Sequence, residues 1–166
     1  MLEQPSANKG YGNSTTTPYD VTDVETADRV LLALAETVGN RLRADNVQIA
    51  VVAVGIRYAD LSYVSHQTVL KTATNLTWEI YQVACRLFLE LWDHRPIRHL
   101  GIHTSRVKED DFFRQTALFD EVDYEKLEKI DKTVDALRKW YGMDSVMRAA
   151  FLRQSIDHRR RQMPGR

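Results

Sequence analysis

The most apolar stretch of the chain runs from residue 47 to residue 60 (VQIAVVAVGIRYAD) and ends in a polar turn. Its valines and isoleucines favour a β-strand, in which successive side chains point to opposite faces. One face then carries Val52, Val54, Ile56 and Tyr58, and the other carries Val51, Ala53, Gly55 and Arg57. We expect a central strand with the first face buried beneath helices and the second, smaller face open to a partner.

An edge strand and a helix are predicted before this central strand. Residues 11–17 alternate weakly, and Pro18 is expected to end strand pairing because it lacks an amide donor. Thr22 and Glu25 have the T-x-x-E spacing of a capping box. Apolar residues then recur every three or four positions to about Ala44, which predicts an amphipathic helix.

Two strands and a second helix are predicted after the central strand. Residues 63–71 form the second strand, in a hairpin with the first, and either Asn75 or Thr77 caps the next helix. Pro96 stops that helix, and residues 97–107 alternate again. The order β-α-β-β-α-β predicts an α+β fold, a two-layer sandwich with both helices on one sheet face and the other face free.

The composition changes after Val107, and we expect a separate tail from there. A charged stretch precedes the apolar sequence FFRQTALF, and a third helix is predicted from Tyr124 to Tyr141, with Gly142 placed to stop it. Its apolar residues follow nearly heptad spacing, and a shorter helical piece is predicted at residues 144–152. The expected boundaries are a flexible lead-in (1–8), the main domain (9–107), a linker (108–121), a helical segment (122–152) and a disordered basic end (153–166).

Composition narrows the class of protein. The 166 residues are 43% hydrophobic and 28% charged with a formal net charge of zero, which is ordinary for a globular domain and argues against a strongly basic surface. The single cysteine, Cys85, excludes an internal disulfide and suits a reducing cytoplasm. No apolar run reaches the length of a membrane span, so we expect no membrane contact.

Familiar catalytic motifs are absent from the sequence. It has no phosphate-binding glycine loop, no H-E-x-x-H and no cysteine pair. His99 and His103 would lie on one face of a strand about 13 Å apart, too far to share a metal ion. Cys85 falls within an apolar helical stripe and is interpreted as a small hydrophobe. The residues by themselves indicate a binding module without a metal site.

Three stretches resemble the Y-family DNA polymerases. Residues 8–23 (NKGYGNSTTTPYDVTD) resemble the strand that follows the thumb, written K-S-x-G-x-x-T-T-x-P-x-D. Residues 52–61 (VAVGIRYADL) are similar to V-x-L-K-I-R-Y-x-D-F, and residues 92–105 (WDHRPIRHLGIHTS) to W-x-x-x-P-I-R-x-L-G-V-x-x-S. Together they frame the family's little finger, a β-α-β-β-α-β domain whose sheet lies in the DNA major groove. The resemblance, to bacterial translesion enzymes of the ImpB/MucB/SamB type, covers residues 8–107.

The region after the main domain carries a further resemblance. The sequence QTALF resembles the Q-x-x-L-F peptide by which bacterial polymerases attach to the sliding clamp, which assigns clamp binding to Gln115, Leu118 and Phe119. The alternative is that Leu118 and Phe119 fold back onto their own domain. The third helix is similar to the C-terminal segment of related mutagenesis proteins of Gram-positive bacteria.

The resemblance also implies a set of DNA-binding residues on the open sheet face. They comprise Lys9, Thr15, Thr16, Gly55, Arg57, Ser65, His66, Gln67, Arg98, His103 and Ser105. Gly55 stands where the family commonly has lysine, and residues 47–106 hold six Lys or Arg against four Asp or Glu. We therefore expect weak, sequence-independent binding of duplex DNA through its phosphates.

The expected function is DNA binding and sliding-clamp attachment for an error-prone, lesion-bypass DNA polymerase in DNA repair. The catalytic palm, fingers and thumb match nothing here, so we expect no enzymatic activity from this chain and no cofactor, while the parent enzyme would use magnesium. Primer-template DNA and the bacterial clamp are the expected partners, in the cytoplasm and at the nucleoid when bound. The alternative is a protein- or small-ligand-interaction module of the same fold.

Overall fold

The computed structural model describes residues 10–109 and 123–151. Their elements follow in the order β1 (Gly10–Val21), α1 (Val24–Ala44), β2 (Val47–Tyr58), β3 (Tyr63–Thr74), α2 (Thr77–Leu91), β4 (Ile97–Glu109), α3 (Tyr124–Tyr141) and a short 3-10 turn (Ala149–Phe151). The predicted β-α-β-β-α-β order and α+β class are confirmed. The bounds of α3 agree with the prediction, whereas the shorter helical piece is reduced, within the described residues, to the 3-10 turn.

The four strands form one antiparallel sheet in the order β1-β4-β2-β3. β2 is a central strand paired on both edges, as its apolar sequence predicts, and β1 and β3 form the two edges. β1 extends through Pro18 to Val21, beyond the predicted end. Its ladder with β4 is regular to Thr16 and then shifts register before Val21, so the proline lies in the irregular part.

One face of the sheet is covered by α1 and α2. Val52, Val54 and Ile56 of β2 are fully buried there and belong to the same core as Leu34 of α1 and Phe88 of α2. Burial of each such side chain contributes about 1.5–3 kcal/mol to folding. The predicted burial of Val52, Val54, Ile56 and Tyr58 is confirmed, whereas Val51, on the face expected to be open, is buried as well.

The starts of both helices differ from the prediction. Asp23, not Thr22, caps α1, because its Oδ1 accepts a hydrogen bond from the Thr26 amide at 2.8 Å. Glu25 forms an ion pair with Arg29 instead of closing a capping box.

Neither of the two residues expected to cap α2 does so. The N-cap position is Leu76, which offers no side-chain acceptor. The amide of Thr77 instead donates to Asp131 Oδ2 of α3 at 2.9 Å, and the Leu76 amide donates to Thr74 Oγ1 at 3.1 Å.

Helix α3 packs against α1 through charged residues, so the expectation of a separate tail is wrong for this helix. Arg43 of α1 pairs with Asp131 at 3.1 Å and with Asp135 at 2.6 Å. Glu36 of α1 pairs with Arg138 at 3.4 Å. The apolar stripe of α3 is not its packing face, because Ile130, Leu137 and Tyr141 are all exposed.

Candidate nucleic-acid interface

The sheet face opposite the helices presents four rows of side chains that cross all four strands. Directly paired residues of antiparallel strands share a face, so the pairing register defines the rows. From β1 through β4 and β2 to β3 they are Thr16-His99-Arg57-Tyr63, Ser14-Gly101-Gly55-Ser65, Gly12-His103-Ala53-Gln67 and Gly10-Ser105-Val51-Val69. We call this grid the open face.

Seven of the residues expected to bind DNA lie on the open face. They are Thr16, Gly55, Arg57, Ser65, Gln67, His103 and Ser105. They come from four strands separated in sequence and share one face of the sheet with glycine, alanine and valine residues. Lys9 lies outside the described residues.

Two expected residues, Thr15 and His66, lie on the opposite face. Thr15 pairs with Leu100, which is completely buried, and His66 pairs with the buried Val54. His66 Nε2 is 3.4 Å from Glu90 Oε2 on α2. The prediction placed consecutive residues on one face, whereas the alternation of a strand separates them. Both residues are therefore removed from the candidate interface.

Arg98 lies at an irregularity of β4 and is already paired. The register between β2 and β4 shifts at this point, since Arg57 pairs with His99 and Tyr58 pairs with Ile97. The Arg98 Nε is 2.8 Å from Asp20 Oδ1. Because a carboxylate compensates its charge, Arg98 contributes less attraction to DNA than the sequence suggested.

A groove of about 720 Å³ crosses the open face, and its floor is the row of small residues. Gly55 and Gly101 pair directly across β2 and β4, and the hydroxyl residues Ser14 and Ser65 stand at the two ends of their row. The space above Gly55 is taken by the side chain of Tyr63, and Gly101 lies beside Ser14, so the two glycines let these neighbours pack closely on the sheet.

Tyr63 is a major residue of this face that the sequence reasoning treated only as a strand former. Its side chain is 57% exposed, and its hydroxyl end lies over Gly55 so closely that a Cβ there would be 2.4 Å from the Tyr63 oxygen. The Arg57 guanidinium carbon lies 5.8 Å from the centre of the Tyr63 ring. The alternation that places Ser65 and Gln67 on the open face also places Tyr63 there, and this signal could have identified it.

His99 is the second residue of the open face that was missed, because it was considered only as a metal ligand. Its Nδ1 lies 3.1 Å from Thr16 Oγ1, and it pairs across the strands with Arg57. Burial and, next, the neighbouring positive charge of Arg57 hold the pKa of His99 below its usual value. His99 therefore acts as a neutral hydrogen-bonding group at pH 7.

The electrostatics of the open face are mild. In the four described rows, Arg57 is the single permanently charged side chain, and no carboxylate is present. Among the described residues, no group of three His, Cys, Asp or Glu side chains could hold a metal ion.

Cys85 does not provide a reactive group. It packs against the core at the side of α2, and burial raises the pKa of its thiol to about 12. A thiol with that pKa stays protonated and unreactive at physiological pH.

The described helices include none long and apolar enough to cross a membrane.

The residues expected to bind the clamp, Gln115, Leu118 and Phe119, lie outside the described residues. In the sequence they lie between Glu109, the last residue of β4, and Asp123, the N-cap of α3.

Comparison with known families gives a match over residues 8–118 to the C-terminal domain of the impB/mucB/samB family. Among curated proteins, DNA polymerase IV of Clostridium acetobutylicum is 38% identical over 144 residues, covering 87% of this chain and 36% of that protein. DNA polymerase IV of Acetivibrio thermocellus is 36% identical over 146 residues, covering 87% and 37%. The chain thus spans little more than a third of the length of these relatives.

Solved structures share the fold. The little finger domain of PolIV in complex with the beta-clamp processivity factor matches with a TM-score of 0.50 and 18% identity, over 66% of this chain and 98% of that one. The Dbh DNA polymerase in an insertion ternary complex matches with a TM-score of 0.50 and 20% identity, over 64% of this chain and 31% of that one. At these identities the comparison establishes the little-finger fold.

Proposed function

The chain belongs to the impB/mucB/samB C-terminal domain family, and from this we propose that it holds primer-template DNA for a lesion-bypass DNA polymerase. The observation that carries the proposal is the open face, where hydroxyls, amides, imidazoles and Arg57 converge with no carboxylate among the described rows. Such a surface suits phosphate oxygens, which accept hydrogen bonds and repel carboxylates. The curated relatives, which are DNA polymerases IV, support the same assignment.

The domain would position DNA through its phosphates without recognising the base sequence. Thr16, Ser65 and Gln67 can donate hydrogen bonds to phosphates, and Arg57 can neutralise one. With so few cations the isolated chain should bind duplex in the non-specific range, with a Kd of about 10⁻⁴ to 10⁻⁶ M. Attachment to the rest of a polymerase would raise the effective concentration of this domain on the DNA.

A second contact is proposed with the bacterial sliding clamp. Gln115 would hydrogen-bond at the rim of a clamp pocket, while Leu118 and Phe119 insert into it. The motif QTALF, which begins six residues after the end of β4, supports this contact, as does the clamp complex of the similar PolIV little finger. Clamp attachment and DNA holding together would provide processivity.

Nucleotide addition is assigned to other parts of the parent polymerase, which we propose acts with magnesium in translesion synthesis and DNA repair. The chain itself contributes binding surfaces, so purified protein should not extend a primer. Its proposed location is the bacterial cytoplasm, at the nucleoid when bound to DNA.

A duplex-binding titration tests the proposal. Labelled duplexes of two unrelated sequences should bind with similar affinity, and Arg57→Ala should weaken both alike while making the slope of log K against log salt shallower by about one unit. Arg86→Ala is the matched control, because Arg86 is an exposed cation on α2 in the helix layer. No binding at low salt, together with no clamp binding, would favour the alternative of a protein- or small-ligand-interaction module.

A further inference from the structure

Tyr63 occupies an unusual position for a residue on a surface that holds duplex by its phosphates. It is the one aromatic ring other than the two histidines in the four described rows, and it is 57% exposed. Its ring neutralises no phosphate. An exposed ring that crosses the floor of a groove between strands offers an apolar surface to a flat partner.

The low charge of the open face limits what phosphate contacts can achieve. Arg57 is the single permanent cation of the described rows, and each neutralised phosphate contributes one increment of counterion release. Stacking on an aromatic side chain adds affinity that does not depend on charge. The groove of about 720 Å³ beside Tyr63 also falls within the usual size of small-ligand pockets, large enough for one nucleotide unit.

We propose that Tyr63 is a stacking platform for an unpaired base of single-stranded DNA, with Arg57 on the adjoining phosphate and the Ser65 hydroxyl within the same groove. This inference rests on the proposed function and adds that the open face binds single-stranded DNA as well as duplex. The faces of bases in a duplex are covered by their neighbours, whereas an unpaired base can place one face on an aromatic ring. The face would therefore hold the unpaired template as well as duplex.

Gly55 is the residue that makes the platform possible. Any side chain at this position would begin 2.4 Å from the Tyr63 oxygen and 3.0 Å from the ring carbon that bears it, so the ring would have to move away. A glycine at this position therefore lets the ring lie across the sheet at the middle of the open face.

The test measures binding of the full chain to a labelled oligothymidylate and to a hairpin duplex with the same number of nucleotides. Tyr63→Ala should weaken single-strand binding by roughly 5- to 100-fold and change duplex binding less than twofold. Its salt slope should equal that of the wild type, because no phosphate contact is lost. Tyr63→Phe is the matched control, since it keeps the ring, and it should bind the single strand like the wild type.

Gly55→Lys provides a second variant that leaves Tyr63 in the chain. The added cation should strengthen duplex binding, while displacement of the ring should lower the ratio of single-strand to duplex affinity. If binding is limited only by the low positive charge of the open face, Gly55→Lys should instead raise the single-strand and duplex affinities in parallel.

The outcomes separate this inference from the proposed function. If duplex binding depends on Arg57 but Tyr63→Ala binds the single strand with wild-type affinity, the stacking platform is overturned and the proposed function is left intact. A Tyr63→Phe loss as large as that of Tyr63→Ala would assign the effect to the hydroxyl and overturn stacking as well. Absence of binding to either DNA by the folded wild type would overturn both.

Discussion

Arg138 of α3 lies with its guanidinium 3.4 Å from the carboxylate of Glu36 on α1, and both side chains are only 5% exposed. Arg148 approaches the same carboxylate from the segment after α3, and Arg138 also donates to the Val146 carbonyl at 3.0 Å. The buried carboxylate of Glu36 thus forms ion pairs with two arginines of the C-terminal region. This contact, together with Arg43 and its two aspartates, fixes α3 on the helical layer.

Replacing Glu36 with Ala should lower the free energy of unfolding by about 3–5 kcal/mol, because it leaves the buried Arg138 without a counter-charge. Urea unfolding measures the loss. Glu128→Ala is the control: Glu128 pairs with Lys132 in an exposed i,i+4 arrangement, and such pairs contribute about 0.3–0.5 kcal/mol. Equal losses in the two variants would mean that Glu36 does not act as a buried anchor.

Asp131 supplies the start of α2 with a cap from a different helix. Its Oδ2 accepts from the Thr77 amide at 2.9 Å and from Arg43 Nη1 at 3.1 Å. Asp131→Ala should cost about 1–3 kcal/mol by leaving the amide unsatisfied, and Asp131→Asn should cost less. Limited proteolysis should show faster cleavage in α3 of the Ala variant, since the same residue joins α3 to the domain.

Burial raises the pKa of Asp131 above its ordinary value of 3.8, with Arg43 opposing the shift. The folded protein therefore binds this proton more readily than the unfolded chain, and the contribution of Asp131 to stability declines as pH rises above about 4. The deficit of Asp131→Asn relative to the wild type should be larger near pH 4.5 than at pH 7. Urea unfolding at the two pH values checks the sign.

Most of the sheet could be predicted from sequence because its signals are local. Val52, Val54 and Ile56 alternate with small residues along one apolar strand, so both the strand and its buried face were predictable. The placement of His66 and Thr15 was wrong because each was assigned to the same face as its neighbour in the strand, although successive side chains point to opposite faces.

The packing of α3 was not predictable in the same way. Its buried residues, Asp131 and Arg138, have the polarity of surface residues, and their partners Arg43 and Glu36 are roughly 90 to 100 positions away in sequence. The role of Tyr63 likewise depends on Gly55 of the neighbouring strand. Pairings between distant charged or small residues leave no periodic signal in the chain.

His99 should make stability depend on pH in the mildly acidic range. Its lowered pKa means that the folded protein binds the proton less readily than the unfolded chain, so the free energy of unfolding should fall as pH drops below about 6.5. His99→Asn should reduce this fall, measured by urea unfolding at pH 7.5 and 5.5. His103→Asn, on the same strand and face, retains His99 and should retain its contribution to the fall.

Leu118 and Phe119 are expected to anchor the chain to the bacterial sliding clamp. Replacing both with Ala should cost about 2–4 kcal/mol of binding free energy to the bacterial sliding clamp, because apolar anchors in pockets dominate such peptide contacts. A micromolar interaction would then become undetectable by calorimetry. Gln115→Ala should weaken binding by a smaller amount through the loss of one hydrogen bond at the pocket rim.

The thermal midpoint of the same double variant separates clamp binding from the alternative, in which the two side chains pack on their own domain. Exposed residues contribute little to stability, so the midpoint should stay nearly unchanged if Leu118 and Phe119 serve the clamp. Thr116→Ala is the matched control, since it lies within the motif but at a position that the Q-x-x-L-F pattern leaves open. A midpoint that falls by many degrees while clamp binding survives would assign Leu118 and Phe119 to the domain core and make the motif a coincidence.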